Sequence, residues 1–299
     1  MTATTQPIRA ETAATIAPVG DRGARLRRRL AYIAMITYAV LMFVPFAWSI
    51  ITSFKTLPDS VRLSILPNPF TFQGWEFAWN NLNPSLPVLF LNSAIFAGAV
   101  TLTNLALGSL AGYAFARLKF PGRELLFVVV LATLMIPDQL RLVPIYVGFN
   151  NIGLTTGIAQ YIGVILVLAI SATSVFLLRQ YFLSIPHELE EAARLDGAGF
   201  FTTFWRVMLP LATPALSAVA ILQFQGTWNS FFWPLIIARD QGHWPLSLGL
   251  VQFRLAGGFS NNWPPLMATI VLATIPILIL YIFFQRYFVE GVAAAAVKG

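Results

Sequence analysis

The chain has 299 residues, 57% of them hydrophobic and 10% charged, against about 25% charged residues in ordinary globular domains. With a mean hydropathy of +0.72, a water-soluble single domain is excluded. The 19 Lys+Arg against 12 Asp+Glu give a net charge of +7, which in so apolar a chain is read by location and not as a nucleic-acid footprint. Cysteine is absent, which removes disulfides, thiolate nucleophiles and Cys-ligated metals. His187 and His243 lie far apart and no HExxH pair exists, so no metal site is expected.

Residues 1–21 are small, polar and rich in Pro, Ala and Thr with no apolar period, and 1–29 as a whole reads as a disordered, basic N-terminus. A bilayer core about 30 Å thick takes about 20 apolar helical residues to cross. Leu30 to Phe54 supplies the first such stretch, longer than the cleavable apolar region of a signal peptide. The segment from Lys55 to Pro87 is dense in Pro, Asn and Trp; it predicts an ordered external cap too short for its own core.

A second span fits Val88 to Ala116. The third is short, because only the 13 residues Leu125 to Pro137 lie between Glu124 and Asp138, a rise of about 20 Å. Asp138 and Arg141 can neutralise each other at i,i+3 and extend the helix toward Val147. That makes an interfacial end the expected form; the other reading is a broken helix lining a pathway. Gly157 to Leu178, Val207 to Ala238 and Pro265 to Gln285 supply the fourth, fifth and sixth. The pattern predicts an all-α integral membrane protein with six transmembrane helices over 30–289 and a short tail, 290–299.

Of the basic residues, 14 fall on the side that holds both termini and 5 on the other, namely Lys55, Arg62, Arg141, Arg239 and Arg254. Since the Lys/Arg-rich side stays in the cytoplasm, both termini are expected there.

The longest polar stretch on that side is Arg179 to Arg206, RQYFLSIPHELEEAARLDGAGFFTTFWR. Ser184 reads as an N-cap with Pro186 in the first turn. Glu190 and Arg194 form an i,i+4 pair, and Leu189, Ala192, Ala193 and Leu195 form a small apolar face. Gly197 and Gly199 are expected to end the helix. Burying Phe200, Phe201, Phe204 and Trp205 would contribute about 1.5–3 kcal/mol each, yet a connection this short cannot cover them all. Four acidic residues, Glu188, Glu190, Glu191 and Asp196, against Arg194 and Arg206 disfavour anionic lipid as the cover. A protein partner is expected.

Glu191-Ala192-Ala193, then Gly197, then Val207-Met208-Leu209-Pro210 resembles the EAA loop, EAA-x3-G-x9-[I/V]-x-L-P, of permease subunits of bacterial ATP-driven importers. Asp196-Gly197-Ala198 is similar to the carbohydrate branch of that family. The resemblance covers nearly the whole apolar chain and narrows to the maltose-type, MalG-like class: Asn92-Ser93, AGYAFARLKFPG (111–122), MIP (135–137), FLLRQYF (176–182), WNSFFWPL (228–235) and QRYFVEG with a final VKG. The tail departs from the usual GLxxGAVKG by its alanine run, which puts its packing against an ATPase in doubt.

What the resemblance implies is a six-helix permease of the ABC type I importer fold, with 184–210 as coupling loop. Its short helix seats in a cleft of an ABC ATPase dimer; Glu190 and Glu191 carry the polar contact, Ala192 and Ala193 the close approach, and Asp196 and Gly197 the turn. A homologous second permease and an extracytoplasmic solute-binding protein complete the complex. A phosphate-binding GxxxxGK[ST] loop is absent around Lys55, Lys119 and Lys298, so the chain is not expected to be an enzyme or to hold a cofactor; ATP and Mg belong to the ATPase.

Polar side chains inside the spans are Asn92, Ser93, Asn104, Gln160, Gln223, Gln225, Trp228 and Asn229. Sugars bind through such groups and aromatic faces, so Asn92, Gln223, Gln225, Trp228 and Asn229 are pathway candidates, although Asn and Gln in membrane helices also simply bond neighbouring helices. No well-defined span has a charge at its centre, which argues against ion-coupled transport and for a neutral di- or oligosaccharide. A glycerol phosphate is the alternative cargo, with Arg141 and Arg179 as its basic candidates. A secondary carrier or membrane scaffold is the remaining class, against which stands the absence of an internal repeat.

Overall fold

The computed structural model describes residues 22–296 apart from 63, 256 and 258–261. The expected disorder of 1–21 and the final VKG lie outside the described residues. Among the described residues every regular element is a helix. The chain divides into two compact units, 1–48 and 49–299. The first contains most of α1 (Arg22–Ser53). This helix starts inside the stretch expected to be disordered, because Arg, Ala and Leu are good helix formers and carry the apolar helix back by about two turns.

The second unit opens with a cap. Helix α2 (Leu57–Ser60) and α3 (Gln73–Asn80) precede α4 (Leu86–Arg117), and α3 packs on α15 (Trp263–Ala296). Phe54 stacks between Phe70 and Trp75 at 4.8 and 5.4 Å. The Asp59 carboxylate accepts the Asn68 N–H (3.1 Å) and the Ser64 hydroxyl (2.8 Å), which closes the loop between them.

Three helices, α1, α4 and α15, are long and apolar enough to cross a bilayer alone, and three bent pairs supply the other crossings. The fourth span, read as one stretch, is therefore corrected to a broken one, and the fifth bends at its Pro210–Pro214 entry. Helix α5 (Arg123–Ala132) with its 3-10 turn (Thr133–Met135) meets α6 (Asp138–Asn151) at 98°. The bend falls where Ile136, extended ahead of Pro137, leaves the helical region. The sequence reading of a helix drawn out toward Val147 gives way to the broken one.

Helix α7 (Ala159–Leu168) meets α8 (Ala172–Ser184) at 49° across the extended Ser171. After α9 (Glu188–Leu195), the run α10 (Phe200–Thr203), a π-helical turn (Phe204–Met208) and α11 (Leu209–Leu211) meets α12 (Thr213–Trp228) at 75°. Pro210 and Pro214 lack the donors that would carry one helix through. Helices α13 (Phe232–Ile237) and α14 (Leu246–Leu255) complete the connection to α15.

Helix α4 is the axis of this unit, packed by α8 and α12. At Gly112 a Cβ would stand 3.0 Å from the Arg179 nitrogen and the Leu178 Cβ, so only glycine lets α8 approach so closely. One end of α4 closes over Tyr113, Ala116, Leu178, Phe182, Phe204 and Met208. The other closes over Leu86, Leu89, Trp228, Leu246 and Ala268.

Candidate functional site: helix α9 and the polar faces of the spans

Helix α9 begins later than its sequence suggests. Ser184 is the last residue of α8, and its hydroxyl donates back to the Tyr181 carbonyl at 2.7 Å. The expected Ser184 cap is thereby corrected: the hydroxyl finds a nearer acceptor in its own helix. His187 takes the capping position, its carbonyl accepting from the Glu190 and Glu191 amides at 3.0 and 3.1 Å.

The far end follows the expected glycine stop. Gly197 has φ +82°; its N–H donates to the Arg194 carbonyl (3.0 Å) and the Ala198 N–H to the Ala193 carbonyl (2.9 Å), the paired bonds of a Schellman motif. Gly199 does not end α9 but precedes α10 in extended conformation.

The expected Glu190–Arg194 pair is replaced by a longer-range one. Glu190 is buried, 4% exposed, and its carboxylate lies 3.3 Å from Nε of Arg117 at the end of α4. The same guanidinium donates to the Phe182 carbonyl (2.6 Å), to the Ile185 carbonyl, and contacts the His187 ring at 2.8 Å. Arg117 thus ties the end of α8, the start of α9 and its own helix into one joint. Sequence reading counted Arg117 only among the 14 basic residues on the side that holds both termini; a partner 73 positions away leaves no spacing signal.

Glu191, Ala192, Asp196 and Gly197 are exposed and Ala193 is half-buried. With Glu190 turned inward, α9 presents Glu191 and Ala192 outward over a cleft of about 380 Å³ lined by Arg117, Lys119, His187, Glu190, Glu191 and Arg194. The aromatic run divides the same way. Phe204 is 1% exposed and sits 5.0 Å from the Tyr113 ring, and Phe200 lies 5.3 Å from it. Phe201, Trp205 and Leu195 stay 69%, 55% and 89% exposed. Of the four aromatics the chain buries Phe204 and leaves Phe200 39% exposed, so an apolar rim remains beside an acidic helix.

The span positions also separate. Asn92 donates to the Gly242 and Trp244 carbonyls, each at 2.8 Å, and accepts the Tyr161 hydroxyl. Gln223 donates to Ser174 (2.8 Å), whose hydroxyl donates to Asn104 (3.1 Å); Asn104 also takes the Ser171 N–H and donates to the Leu168 carbonyl. Trp228 donates to the Ala273 carbonyl at 3.1 Å and stacks on Phe224. These polar groups fasten helix to helix. Gln225, Gly226 and Asn229 are exposed with Leu222 on one stripe of α12, at the i, i+3, i+4, i+7 spacing of one helix face.

A family profile described as "Binding-protein-dependent transport system inner membrane component" matches residues 104–294. Among relatives, the diacetylchitobiose uptake system permease protein of Streptomyces coelicolor is 35% identical over 87% of this chain and 86% of its own. The arabinooligosaccharides transport system permease protein of Bacillus subtilis is 35% identical over 88% and 91%, and the sn-glycerol-3-phosphate transport system permease protein of Yersinia pestis 34% identical over 77% and 82%. In fold the chain is similar to a chain of a bacterial ABC transporter involved in import of the acidic polysaccharide alginate, with a TM-score of 0.77, 24% identity, and coverage of 91% of this chain and all of the other.

Proposed function

The chain belongs to the binding-protein-dependent transport system inner membrane component family, and from that premise we propose that it is one half of the translocation pathway of an ATP-driven importer for a di- or oligosaccharide. In this reading the pathway is completed by a homologous permease, α9 seats in an ATP-binding cassette ATPase dimer, and an extracytoplasmic binding protein delivers the cargo. ATP and Mg are held by the ATPase, so this chain needs no cofactor. The end carrying α9, together with both termini, lies in the cytoplasm; Arg117, Lys119, Arg123, Arg179, Arg194 and Arg206 gather there, as the positive-inside bias requires.

The observation that carries the reading is α9 itself: a two-turn helix, locked at one end by Arg117 and at the other by the Gly197 turn, that leaves Glu191 and Ala192 outward. A helix so fixed follows displacement with little slack, which suits a rigid-body relay between a motor domain and membrane spans. The exposed Phe201, Trp205 and Leu195 supply the apolar part of the contact. For the pathway, the exposed stripe of Gln225, Gly226 and Asn229 is favoured over Asn92, Gln223 and Trp228, whose polar atoms bond other elements of the bundle, whereas the Asn229 amide bonds within its own helix.

The test is co-purification of the ATPase. Glu191→Lys, and Gly197→Asp, which places a side chain at φ +82°, are expected to release it while the two permeases stay paired. ATPase retention with coupled uptake intact would refute the seat on α9. The glycerol phosphate permease among the relatives keeps that cargo as the second reading, separated by whether sn-glycerol 3-phosphate or a neutral oligosaccharide stimulates the reconstituted complex.

A further inference from the structure

The elbow between α5 and α6 holds an ion pair, Asp138 with Arg141, whose side chains remain 46% and 43% exposed. The Arg141 Nε–H is buried without an acceptor among the described residues. Around the pair Met135 is 83% and Leu140 72% exposed, and Gln139 is exposed between them.

Its height in the bundle follows from helix rise. Helix α5 starts at Arg123, beside the Glu124 that pairs with Arg179 at 3.1 Å; 15 residues at about 1.5 Å each put Asp138 about 20 Å from that end. A second route agrees. Asn104 lies 13 residues before Arg117 in α4, again about 20 Å, and bonds Leu168 and Ser171 at the break before α8, against which the turn Thr133–Met135 packs. Helix α4 continues a further 18 residues to Leu86, about 27 Å. The elbow therefore lies near mid-length of a structure whose hydrocarbon belt is about 30 Å thick.

At that depth an exposed ion pair and an interrupted helix are both costly against lipid, and both occur where water or protein faces them. The pair carries no net charge and offers carboxylate acceptors beside guanidinium donors on side chains that are nearly half exposed. An anion would meet Asp138 as readily as Arg141; a hydroxyl can use both.

We propose that this elbow is a water-lined station of the translocation route, where Asp138 accepts from and Arg141 donates to the hydroxyls of an uncharged, hydroxyl-rich cargo. The proposal rests on reading the chain as a permease and adds its own residues and the cargo's charge. In it, the 98° break keeps the pair open to the route instead of capping it with the next turn.

This chain has no cysteine, so with cysteine-free versions of its partner subunits an introduced thiol is the one target. Gln139→Cys and Leu140→Cys are made in the complex with its second permease and ATPase, in liposomes, and treated with cationic and anionic water-soluble methanethiosulfonates, nucleotide-free and vanadate-trapped. The expected result is reaction in at least one state. Added Asp138→Asn should raise the anionic over the cationic rate about three- to tenfold, as an unpaired positive charge within some 6 Å would. Neutral trisaccharides (triacetylchitotriose, arabinotriose and maltotriose) should include at least one that slows labelling, while sn-glycerol 3-phosphate does not. A thiol inert in both states, a rate ratio unmoved by Asp138→Asn, protection by the phosphate alone, or protection by nothing would overturn the proposal. Co-purification of the ATPase from the same preparation tells such a failure from failure of the permease reading.

Discussion

Arg117 offers the sharpest test of how α9 is held. Arg117→Leu removes the charge beside Glu190, which is 4% exposed, and the donor to the Phe182 and Ile185 carbonyls. Breaking a buried pair by removing one partner costs about 3–5 kcal/mol, since the other charge stays buried alone. Three kcal/mol, at about 1.4 kcal/mol per factor of ten, is a shift of about a hundredfold in the equilibrium between seated and released α9. Amide hydrogen exchange across 188–198 in the assembled complex reads that shift, and exchange there should rise by about that factor while the middle of α4 stays protected. Arg117→Lys, which keeps a charge but cannot reach all its acceptors at once, should fall between. Arg117→Leu with Glu190→Leu should recover much of the protection, because a well-packed apolar pair replaces a buried ionic one at little cost. Exchange within twofold of the parent in Arg117→Leu would refute the joint.

At the opposite end of the bundle, Gly163→Ala would bring a Cβ to 2.5 Å from the Leu154 carbonyl oxygen and 2.9 Å from Ile237 Cγ2; a loss of about 1–3 kcal/mol should lower the melting midpoint in detergent, and an unchanged midpoint would show slack there. In the cap, the Asn68 N–H and then the Ser64 hydroxyl hold the Asp59 carboxyl below its ordinary 3.8, so its contribution is complete above about pH 4 and is lost as pH falls through the lowered value. Acid should therefore loosen the 57–72 loop, read by proteolysis, whereas Asp59→Asn should loosen it at neutral pH and remove the acid response. Gln225→Ala with Asn229→Ala should reduce cargo-stimulated ATPase several-fold with melting unchanged, and Gln223→Leu should lower melting instead; the reverse pattern would put the pathway on the other face of α12.

How much of this could be read in advance depended on contrast. Helix α9 stands out because its carboxylates and glycines interrupt an apolar chain, and Gly197 falls at the positive φ that ends it. The bends differ in this respect: Pro210 and Pro214 mark the one before α12, the shortage of residues between Glu124 and Asp138 hinted at the one before α6, and nothing in the apolar run through Ile170 marks the one before α8. Ser184 misled because Ser-Ile-Pro fits a helix start, while the last turn of α8 offered its hydroxyl a carbonyl three residues back. The bonding of Asn92 was not legible because a lone sequence cannot show that Trp244, 152 positions on, takes its amide.

The miss at Glu190 follows from magnitudes. An exposed i,i+4 pair with Arg194 contributes about 0.3–0.5 kcal/mol, whereas leaving Arg117 buried and unpaired among the Phe182 and Ile185 carbonyls would cost several. When a long-range partner is desolvated and the local one is in water, the long-range one wins, however regular the local spacing. The same inequality makes Glu190 part of the frame and leaves Glu191 the carboxylate free to meet another chain. That is the division of labour the co-purification test on Glu191 examines, and Arg117→Leu should disturb it without altering a single outward-facing residue.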